Sequence, residues 1–322
     1  MVMAQALYKA LCANSTSAEI HVVAPEWSRP LLSRIPQISE VHGLNVGHGE
    51  FGLIRRHRLG KQLRKYNFDQ AFVLPRSFKS ALVPYFARIP KRIGELGEFR
   101  HGLLTHKYST NSDKKIPNVS NYLRYMDINA DIALVKNEYC PELTVDSENQ
   151  RRVLKDYGIE GDQPLIACMV GAEYGPSKQW PIEHFAELIG LLKSEGLNVC
   201  LLGSPKDVAI GEQIEARCQA SVFNLCGETS LPDAVDILAA CKVAVSNDSG
   251  LMHIAAAVDT PVVSMYGATT PVYTPPLHAK AKFFYLNLQC SPCWQRTCQY
   301  NHYRCLKDIV PREVAVAVLS RI

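Results

Sequence analysis

No apolar run in the 322 residues approaches the roughly 18 that a membrane-spanning helix requires. The opening Met1–Leu11 is too short and too mixed for a secretion signal. These two absences predict a cytoplasmic protein. An excess of charge of one sign is missing as well: 20% of residues are charged and the net charge is +4, which excludes a general nucleic-acid binder held by a polycationic surface. Internal repeats and low-complexity tracts are absent, which excludes repeat architectures.

What the chain does have is apolar mass. At 47% apolar over 322 residues it exceeds what one core usually organises, and two domains of about 150 residues are expected. Eleven cysteines would suggest disulfides in a small secreted chain, but Cys168, Cys200 and Cys241 stand singly inside apolar segments and read as reduced core residues.

From residue 165 onward, strand-like and helix-like runs alternate: Pro164–Val170, Phe185–Leu192, Asn198–Leu202, Val208–Cys218, Leu231–Ala240, Val243–Ser246, Leu251–Ala257 and Val262–Tyr266. This alternation predicts a parallel sheet wrapped by helices. The first half repeats the theme more faintly, with strands at Ile20–Ala24 and Ala71–Leu74 and helices at Ala4–Leu11 and Leu53–Lys65. The polar stretch Lys136–Asp162 ends in Tyr157-Gly-Ile-Glu-Gly161-Asp, which places the boundary near residue 158 and gives domains 1–158 and 159–322. Ligands of such sheets bind at the carboxyl ends of the strands, here in a cleft between two facing Rossmann-like domains. Met1–Leu11 already reads as a first helix, so the strand that should precede it is expected upstream of Met1.

Two loops carry chemistry. Ser246-Asn-Asp-Ser-Gly-Leu-Met-His253 leads from a strand into a helix, so amides around Asp248, Ser249 and Gly250 would sit free at a helix start, where phosphate binds. The plainer reading makes Asp248 a helix cap and His253 an ordinary half-buried histidine. Gly171-Ala-Glu-Tyr-Gly-Pro-Ser-Lys178 follows the strand ending at Val170, and Lys178 could meet a diphosphate or be a solvated surface lysine. Trp180-Pro181 would anchor the loop and start the next helix.

With Ala24-Pro-Glu-Trp-Ser-Arg-Pro-Leu-Leu-Ser-Arg34 and Val73-Leu-Pro-Arg-Ser-Phe-Lys-Ser-Ala-Leu82, these loops resemble glycosyltransferase family 9, the ADP-heptose lipopolysaccharide heptosyltransferases, and within it the heptosyltransferase II type. The resemblance implies a GT-B fold: an acceptor-binding first domain, and a second that binds ADP-heptose. It further implies inverting transfer to the heptose/Kdo-lipid A inner core, without a metal. Gly171, Ala172, Lys178, Thr229, Asp248, Ser249, Gly250 and His253 would bind the donor, with Lys178 offsetting charge on departing ADP and Thr229 meeting the adenine. Asp207 would approach the ribose. The family's general base, an aspartate in a Gly-Asp pair before the first helix, would fall upstream of Met1, and a start assigned too late is the preferred explanation. As it stands, the chain also admits a non-catalytic nucleotide-sugar binding protein or a GT-B sugar-nucleotide epimerase.

Arg55, Arg56, Arg58, Lys61, Arg64 and Lys65 share one expected helix, and Arg76, Lys79, Arg88, Lys91, Arg92 and Arg100 follow. Most fit a solvated face. Arg76 and Lys79, after a strand end, are the candidates for the anionic acceptor, and the surplus suits transient contact with the inner-membrane surface. Cys290, Cys293, Cys298 and Cys305 leave a structural zinc site, a disulfide pair and four free thiols open. Their resemblance to clusters in related chains suggests a local staple with no role in transfer.

Overall fold

The computed structural model describes residues 1–47, 49–109 and 116–322. They form two compact units, Met3–Val135 and Lys136–Ile322. The boundary therefore lies more than twenty residues before the expected position near 158. The intervening polar stretch is a helix, Ser147–Asp156, with one buried side chain, Val153, so it carries almost no apolar signal. Polar bonds dock it instead. Asp146 caps its start, accepting from the amides of Glu148 and Asn149 at 3.1 and 3.0 Å. The fully buried Asp236 of the Leu231–Ala240 helix accepts from the amide of Asp146 at 2.9 Å and from the side chain of Asn149 at 2.7 Å.

Five strands lie in the first unit: β1 (Ile20–Ala24), β2 (Ile38–Gly43), β3 (Gln70–Val73), β4 (Lys91–Glu95) and β5 (His106–Tyr108). They make two separate parallel sheets, β1–β2 and β3–β4–β5. Buried and exposed positions mix along these strands, and β4 begins with a Lys-Arg pair, which conceals it from an apolar reading. The expected first helix runs Gln5–Asn14 and buries Ala6, Leu7, Tyr8 and Ala10.

The second unit holds β6 (Leu165–Met169), β7 (Asn198–Leu202), β8 (Phe223–Asn224), β9 (Val243–Asn247), β10 (Val262–Tyr266) and β11 (Lys282–Tyr285). All are parallel, in the order β11-β10-β9-β6-β7-β8. Every residue of β6, β9 and β10 is buried, as strands covered by helices on both faces must be. The Ile182–Ser194 helix lays Phe185, Leu188, Ile189 and Leu192 on the sheet, a spacing of three, four and seven that puts all four on one face. Trp180 is buried ahead of it, its indole donating to the Ile309 carbonyl at 3.1 Å.

From β6 the chain moves outward to β7 and β8, then returns to β9 on the other side of β6 and proceeds to β10. The strand order reverses between β6 and β9. In open parallel sheets, the carboxyl ends at such a reversal form the ligand crevice.

Candidate active site

The loop after β6 and the turn after β9 meet at this reversal. Lys178 Nζ lies 2.6 Å from Asp248 Oδ2. Asp248 is buried, and its carboxylate also accepts from Thr269 Oγ1 at 2.5 Å and Thr274 Oγ1 at 3.3 Å, both from the loop after β10. The ammonium stands 5.0 Å from the centre of the Tyr174 ring, close enough for a cation–π contact. Its side chain is mostly buried, so Lys178 is no solvated surface lysine, and an ion pair this dry depends on both partners.

Asp248 does not cap the helix that follows. The N-cap of Gly250–Ala257 is Ser249, and no side chain accepts from the first-turn amides. Gly250 is exposed, and a methyl group placed on it would meet nothing within 4 Å. A carboxylate directed at Lys178, beside free amides at a helix start, leaves a positive field for an incoming anion. His253 is half-buried one turn on; burial drives its imidazole down to about 4, with the Asp248 charge opposing and Lys178 assisting, so the ring is neutral.

Asn247, fully buried, ties the two loops together. It accepts from the Trp180 amide at 3.0 Å and donates to the carbonyls of Val170 and Gly171 at 2.9 and 3.3 Å. Two glycines are needed here. Gly171 passes so close to Asp207 that a Cβ would lie 2.6 Å from Oδ2, and Gly175, at φ +141°, would set a Cβ 2.7 Å from the Arg296 carbonyl oxygen. Ala172 accepts from the Gly175 amide at 2.9 Å and closes that turn. Asp207, beyond β7, caps its own helical turn by accepting from Ser204 N and Oγ at 2.8 and 2.7 Å. Thr229 is half-buried beyond β8, three strands from β9, or about 14 Å at the usual strand spacing.

Residues 56–304 match the sequence profile of glycosyltransferase family 9 (heptosyltransferase). The chain belongs to this family. It is 41% identical over 322 residues to lipopolysaccharide heptosyltransferase 2 of Salmonella typhimurium, covering 98% of this chain and 92% of that protein. Over 295 residues it is 41% identical to lipooligosaccharide heptosyltransferase 2 of Haemophilus influenzae, covering 87% and 84%. A solved structure, that of E. coli ADP-heptose LPS heptosyltransferase II, superposes with a TM-score of 0.84 at 38% identity over 99% of this chain and 94% of that one. The family 9 chain is thus a glycosyltransferase of GT-B fold, which sets the epimerase reading aside.

The acceptor candidates of this family 9 chain lie in the first unit. Arg76, after β3, places Nε 2.5 Å from the buried Oε2 of Glu95 at the end of β4, and Lys79 donates to the Glu50 carbonyl at 3.1 Å. Two arginines grouped with solvated charges are structural instead. Arg100 is wholly buried and donates to the carbonyls of Glu95 and Pro75 at 2.9 and 2.5 Å, holding the loop that carries Arg76. Arg56 is buried against the Phe51 carbonyl at 2.8 Å.

All four clustered cysteines are free, so the disulfide expectation is not met. Among the described residues, no three of these sulfurs bring donor atoms within 4.8 Å of one another, which leaves the zinc expectation without support. Cys290 Sγ sits 4.0 Å from His302 Nε2, Cys305 backs onto Gly267, and burial would raise the Cys298 thiol but amides of Tyr303, Tyr300, His302 and Asn301 aimed at its sulfur lower it instead. The segment has a role that the spacing concealed. Its carbonyls at Trp294 and Gln295 accept from Tyr174 Oη and Ser177 Oγ, both at 2.5 Å, while the Trp294 amide donates to Ala268 at 2.8 Å. It is wedged between the Lys178 loop and the loop that supplies Thr269. Both threonines were unmarked in sequence, although a loop after a parallel strand was signal enough to look there.

Proposed function

We propose that this glycosyltransferase moves heptose from ADP-heptose to the heptose/Kdo-lipid A inner core of lipopolysaccharide, with inversion and with no metal in the transfer step. The observation that carries the reading is the Lys178–Asp248 pair beside the uncapped start of the Gly250–Ala257 helix, at the sheet reversal of a chain 41% identical to a lipopolysaccharide heptosyltransferase.

The donor's diphosphate lies on the amides of Ser249 and Gly250, and Gly171 and Ala172 keep the opposite wall free of side-chain bulk. Asp248 spends its carboxylate on Lys178 and two threonines, which fixes the ammonium at one point while leaving it an N–H to donate. As the bond from the anomeric carbon to the ADP oxygen breaks, negative charge grows on the β-phosphate, and Lys178 stabilises it where it develops. Neutral His253 adds no charge of its own. Asp207 and Thr229, one and two strands beyond Gly171, lie along the line that ribose and adenine would follow from that diphosphate.

Arg76 and Lys79 meet the carboxylates or phosphates of the acceptor. Phe51, Leu53 and Ile54 are exposed next to Arg55, Arg58 and Lys61, a combination suited to brief contact with the anionic cytoplasmic face of the inner membrane. No nucleic acid takes part. Among the described residues, no helix is long and apolar enough to cross a membrane.

The test is transfer from ADP-heptose to heptosylated Kdo-lipid A, followed by mass spectrometry for the added heptose and by NMR for its anomeric configuration, with and without EDTA. One added heptose of inverted configuration, formed equally in EDTA, is expected. Retention would overturn the mechanism, as would loss of transfer in EDTA with the fold intact by circular dichroism; ADP bound with no transfer would favour a nucleotide-sugar binding protein.

A further inference from the structure

In the first unit, far along the chain from the donor loops, three side chains share one face of the β1–β2 pair. His21 pairs in register with Glu40, and His42 follows Glu40 by two residues, so alternation along the strands brings all three together. Their donor atoms lie within 4.8 Å of one another, the one such group of His, Cys, Asp or Glu among the described residues. His21 Nδ1 is 2.9 Å from His42 Nε2, and Glu40 Oε2 is 3.7 Å from His21 Nδ1. Both imidazoles are largely buried, and Tyr66 and Phe68 wall them in at centroid distances of 4.8 and 4.9 Å from His21.

We infer that His21, Glu40 and His42 bind a divalent late transition-metal ion of the zinc class and staple β1 to β2. The surroundings are those of a ligand set. The far nitrogen of His21, Nε2, faces Glu19 Oε1 at 3.0 Å, which makes Nε2–H the donor and leaves the Nδ1 lone pair pointing at His42. Carboxylate behind imidazole is the arrangement that orients metal-bound histidines, and the ligating carboxylate is itself ordinarily hydrogen-bonded. Tyr66 Oη supplies that bond, donating to Glu40 at 3.0 and 2.9 Å.

With metal–nitrogen distances of about 2.0–2.1 Å, nitrogens this far apart subtend about 90°, and opening the pair to about 3.3 Å reaches the tetrahedral angle. The ion takes the place of the proton between the rings. His42 then carries its proton on Nδ1, which faces Glu40 Oε1 at 3.6 Å, so binding needs no net proton release. A two-stranded sheet is weak alone, and an ion held by both strands would fix their register.

The full-length protein, stripped with EDTA and dialysed, is titrated with Co²⁺ followed by visible absorption and with Zn²⁺ followed by calorimetry. One equivalent of Co²⁺ is expected, with ligand-field bands and without the near-ultraviolet sulfur charge transfer that the cysteine segment would produce. His42→Ala should abolish it, and Glu19→Gln, a change at an exposed side chain that spares the fold, should weaken it about tenfold or more. Cys293→Ser should leave it unchanged. The inference is overturned by absence of uptake in the wild type, by undiminished uptake in His42→Ala or Glu19→Gln, or by sulfur bands that vanish in Cys293→Ser. None of these readouts depends on glycosyl transfer.

Discussion

The two units use one device in different degrees. In each, a cation from the loop after one strand is pinned on a buried carboxylate at the carboxyl end of a neighbouring parallel strand: Arg76 on Glu95 across β3 and β4, Lys178 on Asp248 across β6 and β9. The Arg76 side chain is 52% exposed and that of Lys178 only 14%. Water can stand in for Arg76; little water can stand in for Lys178. On the proposed function, the drier pair serves bond breaking, and the wetter one has the freedom that a large anionic acceptor requires.

The comparison breaks most sharply at Lys178. The sequence suggests that Lys178→Ala would spare the fold, because a loop lysine usually contributes little to a core. The buried pair says otherwise: Lys178→Met should lower kcat/KM by about two orders of magnitude and destabilise the chain by about 3 kcal/mol in urea unfolding, since Asp248 is left charged and dry. Lys178→Met combined with Asp248→Asn should regain most of the stability and none of the turnover. If the single variant kept wild-type kcat/KM, the role assigned to Lys178 would fail.

Arg76→Ala should act more gently. We expect an acceptor KM raised about tenfold with kcat nearly unchanged and a stability loss of about 1 kcal/mol. A fall in kcat with KM constant would move Arg76 from acceptor binding to chemistry and erase the contrast between the units.

The smallest effect concerns His253. Its imidazole is held below the ordinary 6.5, at about 4, so the unfolded chain takes up the proton first and stability falls as the pH drops from about 6.5 towards about 4. Urea midpoints across that window should fall less steeply in His253→Gln than in the wild type. Parallel curves would mean that the ring already titrates as it would in water.

The same contrast explains what could be read from the sequence. Strands buried on both faces leave apolar runs, so β6, β7, β9 and β10 were legible to within a residue or two. β2, β4, β5, β8 and β11 are partly exposed or begin with charges and were not. The Ser147–Asp156 helix escaped for a related reason, since amide and carboxylate groups rather than apolar ones attach it. At the site, Lys178 and Asp248 stood out because each follows a strand end. Thr269, Thr274 and the carbonyls of the cysteine segment did not, because their part is to hold another residue, and nothing in composition marks a supporting oxygen.

The intimacy of Lys178 and Asp248 has a consequence at a distance. Opposite charges 2.6 Å apart cancel to a dipole a few ångströms away, whose field decays faster than that of a lone ammonium. A nucleotide approaching through solvent is therefore scarcely drawn in by this lysine, and its attraction is felt only on arrival. On the proposed function, capture of the nucleotide at the second unit should then owe little to ionic strength.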